Sequence, residues 1–234
     1  VSCPDIAWAI QDQGDQLHPF FPTHYQLGDS PPAISSIKVN PVAPKENESV
    51  TISADIQSVN EGVTVSGATL YYSFDTLNYA SWTNLPMIAQ GASYSATIPS
   101  TDFADGKLVY FYIKAVDSRA IPLTSIYPRI PVSIPGAGLG KQKPLFFVVR
   151  SNGLQIKDVQ YTPFSDGRSG YTDRAVTLTG IVTATPAVAG FSVLQQENTP
   201  EWGAILVDND ASQNLNNIKL GWKITLSGTI CLLY

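Results

Sequence analysis

The sequence predicts an all-β protein built from two successive modules. Three observations carry that expectation. Apolar and polar residues alternate with period two over several short segments, clusters of Gly, Pro, Asn and Asp punctuate the chain at intervals of roughly ten to twenty residues, and no segment sustains a helical period. A length of 234 residues accommodates one large or two ordinary domains. The organisation read from the pattern is an N-terminal arm over 1–32, a first module over 33–150 and a second over 151–234.

In the arm, Trp8, Phe20, Phe21 and Tyr25 are spaced without a period, and Gly28-Asp29-Ser30-Pro31-Pro32 closes the segment. It is too short for a core of its own and is expected to dock on another surface. From Ala33 the pattern turns strand-like. Val50, Ile52, Ala54 and Ile56 alternate with Thr51, Ser53 and Asp55, and Tyr94, Ala96 and Ile98 run into Pro99. After the Asp105-Gly106 turn, Val109, Phe111, Ile113 and Ala115 share one face of a strand and Tyr110, Tyr112 and Lys114 the other. Leu70 to Phe74 and Leu145 to Val149 read as further strands, the latter after a Pro-rich excursion from Ile121 to Pro144.

Ser151-Asn152-Gly153 marks the second boundary. Beyond it come Ile156 to Tyr161, then Val176, Leu178, Gly180 and Val182 with threonines between them. Gly190 to Gln195, Trp202 to Val207 and Gly221 to Ile230 complete four main strands, to which Ile156–Tyr161 is expected to add one edge.

Two resemblances follow from these residues. Leu70-Tyr71-Tyr72-Ser73 together with Val109 to Asp117, a tyrosine-rich strand ending in an A-x-D turn, resembles the C and F strands of immunoglobulin-like and fibronectin type III-like modules. That similarity covers about 33–150 and implies a β-sandwich. The second module is similar to the OB-type modules of bacterial extracellular multidomain proteins, including some secreted nucleases. The similarity rests on Ile156–Thr162, the V-T-L-T-G-I-V-T strand from Val176, Gly190–Gln195, Trp202–Val207 and Gly221–Ile230. It implies a five-stranded barrel, of which four main strands are visible, so the barrel is expected to be incomplete or closed by a strand donated from elsewhere. The expected fold class is therefore all-β, an Ig-like β-sandwich followed by an OB-like, incomplete β-barrel.

Composition narrows the function classes. Charged residues make up 14% against about 25% in an average globular domain, a pattern that suits extracellular or cell-surface β-proteins. The net charge of −5 without a basic run argues against nucleic acid as a partner. No apolar run reaches the ~20 residues of a membrane-spanning helix. The first residues, Val1-Ser2-Cys3, carry no basic leader, so the expectation is that any signal peptide has been removed. Cys3 and Cys231 are the two cysteines and form one candidate disulfide, with two separate thiols as the alternative.

The residues that chemistry would need are sparse. His18 and His24, the two histidines, lack the spacing of a zinc site, and no G-x-S-x-G elbow presents a nucleophile. Asp102 with Asp105, Asp208 with Asp210 and Glu197 with Glu201 are pairs in turn-like segments, where capping and backbone bonding are the ordinary roles. Asp208-Asn209-Asp210 is the best calcium candidate, with Asp208 and Asp210 as ligands and no other cofactor expected. Phe191, Gln195 and Trp202 form a candidate glycan-binding face, against the alternative that both rings fill the small barrel's core. No catalytic residue is expected. The leading expectation is a non-catalytic structural or adhesive protein whose partners are other copies of itself or other surface proteins, self-assembling by strand donation. The alternative is a set of accessory, glycan- or substrate-binding modules of a secreted hydrolase or nuclease.

Overall fold

The computed structural model describes residues 30–74, 82–128, 144–163, 169–185, 191–208 and 217–231. The arm residues 1–29, and with them Cys3, His18 and His24, lie outside the described residues. From Pro31 onward the described chain belongs to one compact unit. It is all-β, with three antiparallel sheets and a single helical turn among the described residues.

Two sheets face each other across the first core. One takes the order β1-β2-β6-β5, from β1 (Ala33–Asn40), β2 (Val50–Gln57), β5 (Ile88–Gln90) and β6 (Ser93–Ile98). The other is built on β3 (Val65–Ser73) and β7 (Leu108–Asp117), with β4 (Thr83–Pro86) outside β3. The far edge of β7 is shared, its second half pairing with β8 (Thr124–Tyr127) and its first half with β9 (Leu145–Val148). The period-two pattern drives this arrangement. Val50, Ile52, Ala54 and Ile56 turn inward from one sheet, Val109, Phe111, Ile113 and Ala115 from the other, and all eight are buried in a common cluster. The opposite face of β7 has its own aromatic layer, in which Tyr112 stacks on Tyr71 at 4.6 Å and Trp82 covers Tyr112 at 4.9 Å.

Asp117 ends β7 and organises the turn into β8. Its Oδ1 accepts the N–H groups of Arg119 and Leu123, at 3.3 and 2.9 Å, and its Oδ2 accepts Arg119 Nε at 2.8 Å. Burial would raise the carboxyl pKa, but the two backbone donors and the guanidinium outweigh it and hold the pKa below the usual carboxylate value.

The second core lies under a four-stranded sheet of order β12-β11-β10-β13, from β10 (Ala175–Ala184), β11 (Ser192–Gln195), β12 (Ala204–Val207) and β13 (Lys223–Thr229). Val176, Leu178 and Val182 of β10 face inward. On its outer face Thr177 bonds to Ser227 at 2.7 Å and Thr179 to Thr225 at 2.8 Å across the β10–β13 ladder. No closed barrel forms among the described residues, and the four expected strands appear as an open sheet.

The expected edge strand at Ile156–Tyr161 is a correction. Residues Ile156–Gln160 form a helical turn, α1. Ile156 and Val159 are three apart, which puts them on opposite faces of a strand but on one face of a helix, and both are buried in the second core. Asp158 reinforces the turn by accepting the Gln155 N–H at 3.0 Å. Gly180 of β10 makes room for it, since a Cβ there would stand 2.8 Å from Ile156 Cδ1 and 3.2 Å from Leu194 Cβ.

Two outcomes follow. Gly180→Ala should wedge α1 away from β10 and cost about 1–3 kcal/mol in urea unfolding, and an unchanged midpoint would contradict the packing described. Because the folded pKa of Asp117 is depressed, its carboxylate contributes stability above the unfolded pKa of about 3.9, and that contribution is lost as pH falls through the folded value. The Tm gap between wild type and Asp117→Asn should therefore be full at neutral pH and close on acidification, whereas a pH-independent gap would assign the effect to shape alone.

Candidate functional site

The two cores meet along β9. Lys107 accepts the N–H of Val149, so the alternate groups of Phe146 and Val148 point away from β7. Both are taken up by side chains of the second module. The Tyr171 hydroxyl accepts the Val148 N–H at 2.9 Å, and Arg174 donates to the Phe146 carbonyl at 3.2 Å. Tyr171 is fully buried and burial pushes its phenol up, so it stays neutral. Desolvation lowers the Arg174 pKa to about 10, which leaves the guanidinium charged at neutral pH, over the rings of Tyr171 and Phe111. Gly170 lets the Phe146 ring close on the backbone, with a Cβ there falling 2.5 Å from the ring.

Arg150, just past β9, makes the second tie. Its Nε and NH2 bind the Asp158 carboxylate at 2.8 and 2.5 Å, and its NH1 reaches Asp105 at 3.4 Å. Asp105 in turn accepts the Ser151 N–H at 2.8 Å. The carboxylate of Asp158 above all holds the Arg150 pKa above its ordinary value. This fork crosses from the first module to α1, so Asp105 and Asp158 are structural carboxylates of the junction.

Beside the fork lies a hollow of about 380 Å³ lined by Leu108, Val148, Arg150, Lys157, Tyr161 and Trp202, among others. Trp202 stands on the loop between β11 and β12, 49% exposed, with its ring edge-on to Tyr161 at 6.2 Å. A second hollow of about 250 Å³ shares Trp202 and Pro200 with the first and is lined further by Gln160, Gln195 and Thr199. Gln196 ties the loop to α1, its amide oxygen accepting the Lys157 N–H at 3.2 Å and its Nε2 meeting Gln155 Oε1 at 3.3 Å.

The structure therefore brings Gln195 and Trp202 together. Phe191, 39% exposed, lines neither hollow. Neither ring fills the second core, whose aromatic member is Tyr171. Tyr161 and Gln160 are the partners that sequence reading missed. Their signal was the same three-residue spacing of Ile156 and Val159, which carries Gln160 and Tyr161 to the end of a helical turn rather than along a strand. Asp208 is exposed at the end of β12, while Asp210 lies outside the described residues. No group of three or more metal-ligating side chains occurs among the described residues. Cys231 is exposed just past β13, and its proposed partner Cys3 lies outside the described residues.

A third hollow, about 360 Å³, separates the two end strands of the second sheet. Val176, Leu178, Leu194, Ile205 and Leu226 form its floor and walls, with Asp208 and Cys231 also on its lining. Neither a family model nor a curated protein matches the sequence.

Asp158→Ala leaves the half-buried Arg150 charge with only Asp105 and should cost about 2–4 kcal/mol. Glu197→Gln, which breaks the surface pair with Lys223, should cost under about 1 kcal/mol. Equal losses in chemical denaturation would refute the junction's role.

Proposed function

We propose that this chain is an extracellular or cell-surface structural protein, an Ig-like β-sandwich followed by an OB-like module, that assembles through the open edges of its second sheet. The sandwich assignment is supported by strand order. β1-β2-β6-β5 matches the A-B-E-D order and β3-β7-β9 the C-F-G order of that architecture, with β4 outside β3 and β8 on the rest of β7's edge as additions. For the OB-like assignment, the support is that the apolar hollow between β12 and β13 lies where a fifth strand would complete a barrel.

The observation that carries the assembly reading is a contrast between edges. An unpaired strand edge invites another strand, and proteins blunt it with bulges, short strands, Pro or charge. The sandwich edges carry these devices. β1 is broken by a register shift between Ser35 and Lys38, β5 has three residues, β4 ends in Pro86, β8 is followed by Pro128, and β9 is capped by Tyr171 and Arg174. The end strands of the second sheet carry fewer, since β12 is short at four residues but neither strand contains Pro. β12 reads Ala-Ile-Leu-Val, and β13 has Lys223 as its sole charged residue, at its first position.

The occupant is a second copy of this chain, with β13 of one molecule laid against β12 of the next. The two edges differ, so the contact is head-to-tail and builds either a closed ring or an open filament, according to the rotation between copies. A chain with 14% charged residues offers little repulsion between copies. Light scattering and negative-stain microscopy should show concentration-dependent oligomers or filaments, and Leu206→Lys or Ser227→Lys should return the protein to monomer. A wild type that stays monomeric at high concentration removes the assembly proposal.

A further inference from the structure

We propose that the Trp202 loop and the two hollows beside it form a binding site for a neutral polysaccharide, with the indole as the stacking platform. The site adjoins the first residue of β12 but does not use the apolar hollow between β12 and β13.

The first support is the geometry of the loop. Asn198 and Trp202 both adopt positive φ, 56° and 57°, a region that costs a residue with a side chain on the order of 1–3 kcal/mol. The conformation is held from several sides. Gln196 donates to the Gly203 carbonyl at 2.7 Å, and Gly203 sits so near Thr199 that a Cβ would fall 2.6 Å from its carbonyl oxygen. Lys223 pairs with Glu197 at 3.1 Å. This strain does not serve the core, because the residue it presents is half exposed. Its effect is to hold a large flat ring at the surface in one orientation, which lowers the ordering cost of binding.

The second support is the shape of the surroundings. Trp202 and Pro200 line both hollows, so a ligand several sugars long that stacks on the indole has both within reach. The T-shaped contact with Tyr161, 83° between planes, fixes the orientation of the indole, and the residue is still 49% exposed. The larger hollow lies at the junction of the two modules, a favoured position for ligand sites.

The chemistry selects the ligand. One face of a pyranose is a patch of C–H groups suited to an indole, and its hydroxyls need paired donors and acceptors. Gln160 and Gln195 supply amides in one hollow, Lys157 and Glu201 supply charged hydrogen-bonding groups in the other. Arg150 lines the larger hollow too, but its charge is matched by Asp158 and Asp105, so the hollow offers no strong anion site. Single-stranded nucleic acid also stacks on aromatic rings but requires a basic groove, which a chain of net charge −5 does not favour. A polyproline segment is read by aromatic-lined grooves with repeated ridges, whereas here two perpendicular rings present a single platform.

The test is titration calorimetry of the whole chain against neutral oligosaccharides of four to six sugars, from glucan, mannan, xylan and chitin series. One series should bind saturably. Trp202→Ala should weaken it by roughly tenfold or more, a loss in the range that stacking contacts contribute. Tyr161→Ala should weaken it less, and Trp202→Phe should retain part of the affinity. Trp222→Ala, at the other exposed tryptophan among the described residues, should leave binding unchanged. Circular dichroism establishes that each variant folds. Absence of saturable binding to every series, equal binding by wild type and Trp202→Ala, or preferential binding of a proline-rich peptide or of oligothymidine would each overturn the proposal.

Discussion

The outward edge of β9 is the constraint on which the arrangement of this molecule depends. As an edge strand beside β7 it carries a carbonyl at Phe146 and an N–H at Val148 that β7 cannot satisfy. Left bare these groups would need water or another strand; buried and unpaired each would cost about 1–3 kcal/mol. A phenol and a guanidinium from the second module meet them instead. Tyr171 does this while fully buried, so its ring fills the second core and its oxygen completes the first module's sheet. Val148 belongs to that second core and Leu108 packs against it, so the two modules share apolar packing as well as hydrogen bonds.

The same junction creates the concave surface. The Arg150–Asp158 fork pins α1 beside the end of β9, and Gln196 pins the Trp202 loop to α1. Each tie is local, yet together they set Tyr161 against Trp202 and leave a hollow between them and Leu108. Aromatic residues thus serve two purposes in this chain. Tyr71, Tyr112 and Trp82 stack into a layer on the outer face of β7, where ring contacts are satisfied within the module. Among the described residues Trp202 has one ring partner and a large exposed area, on a backbone held at positive φ. The second is an arrangement that folding alone does not reward.

Edges divide the molecule along similar lines. Among the described residues the two sheets around the first core blunt or cover their edges, and the second sheet ends on β12 and β13 either side of an apolar hollow. A difference of that kind within one chain is a statement about where contact with other β-structure is resisted and where it is not.

Much of this was legible in the residues themselves. Period-two alternation at Val50–Ile56 and Val109–Ala115 identified the faces that the two sheets bury, because a strand's side chains alternate whatever it pairs with. The four strands of the second module were readable for the same reason. The Ile156–Tyr161 segment was not, because a six-residue stretch is short enough for strand or helical turn and the choice is made by Gly180 opening room on β10. Gln195 and Trp202 could be picked as polar and aromatic neighbours of one hairpin, but Tyr161, some forty residues earlier, joins them only through α1. Sequence by itself determined the strand class, the core faces and the lightly charged surface, all set by composition and local period. Tertiary structure alone decided which groups meet across β9, which edges stay open and which tryptophan faces a hollow. Those outcomes depend on long-range pairings of backbone and side chain that no local pattern encodes.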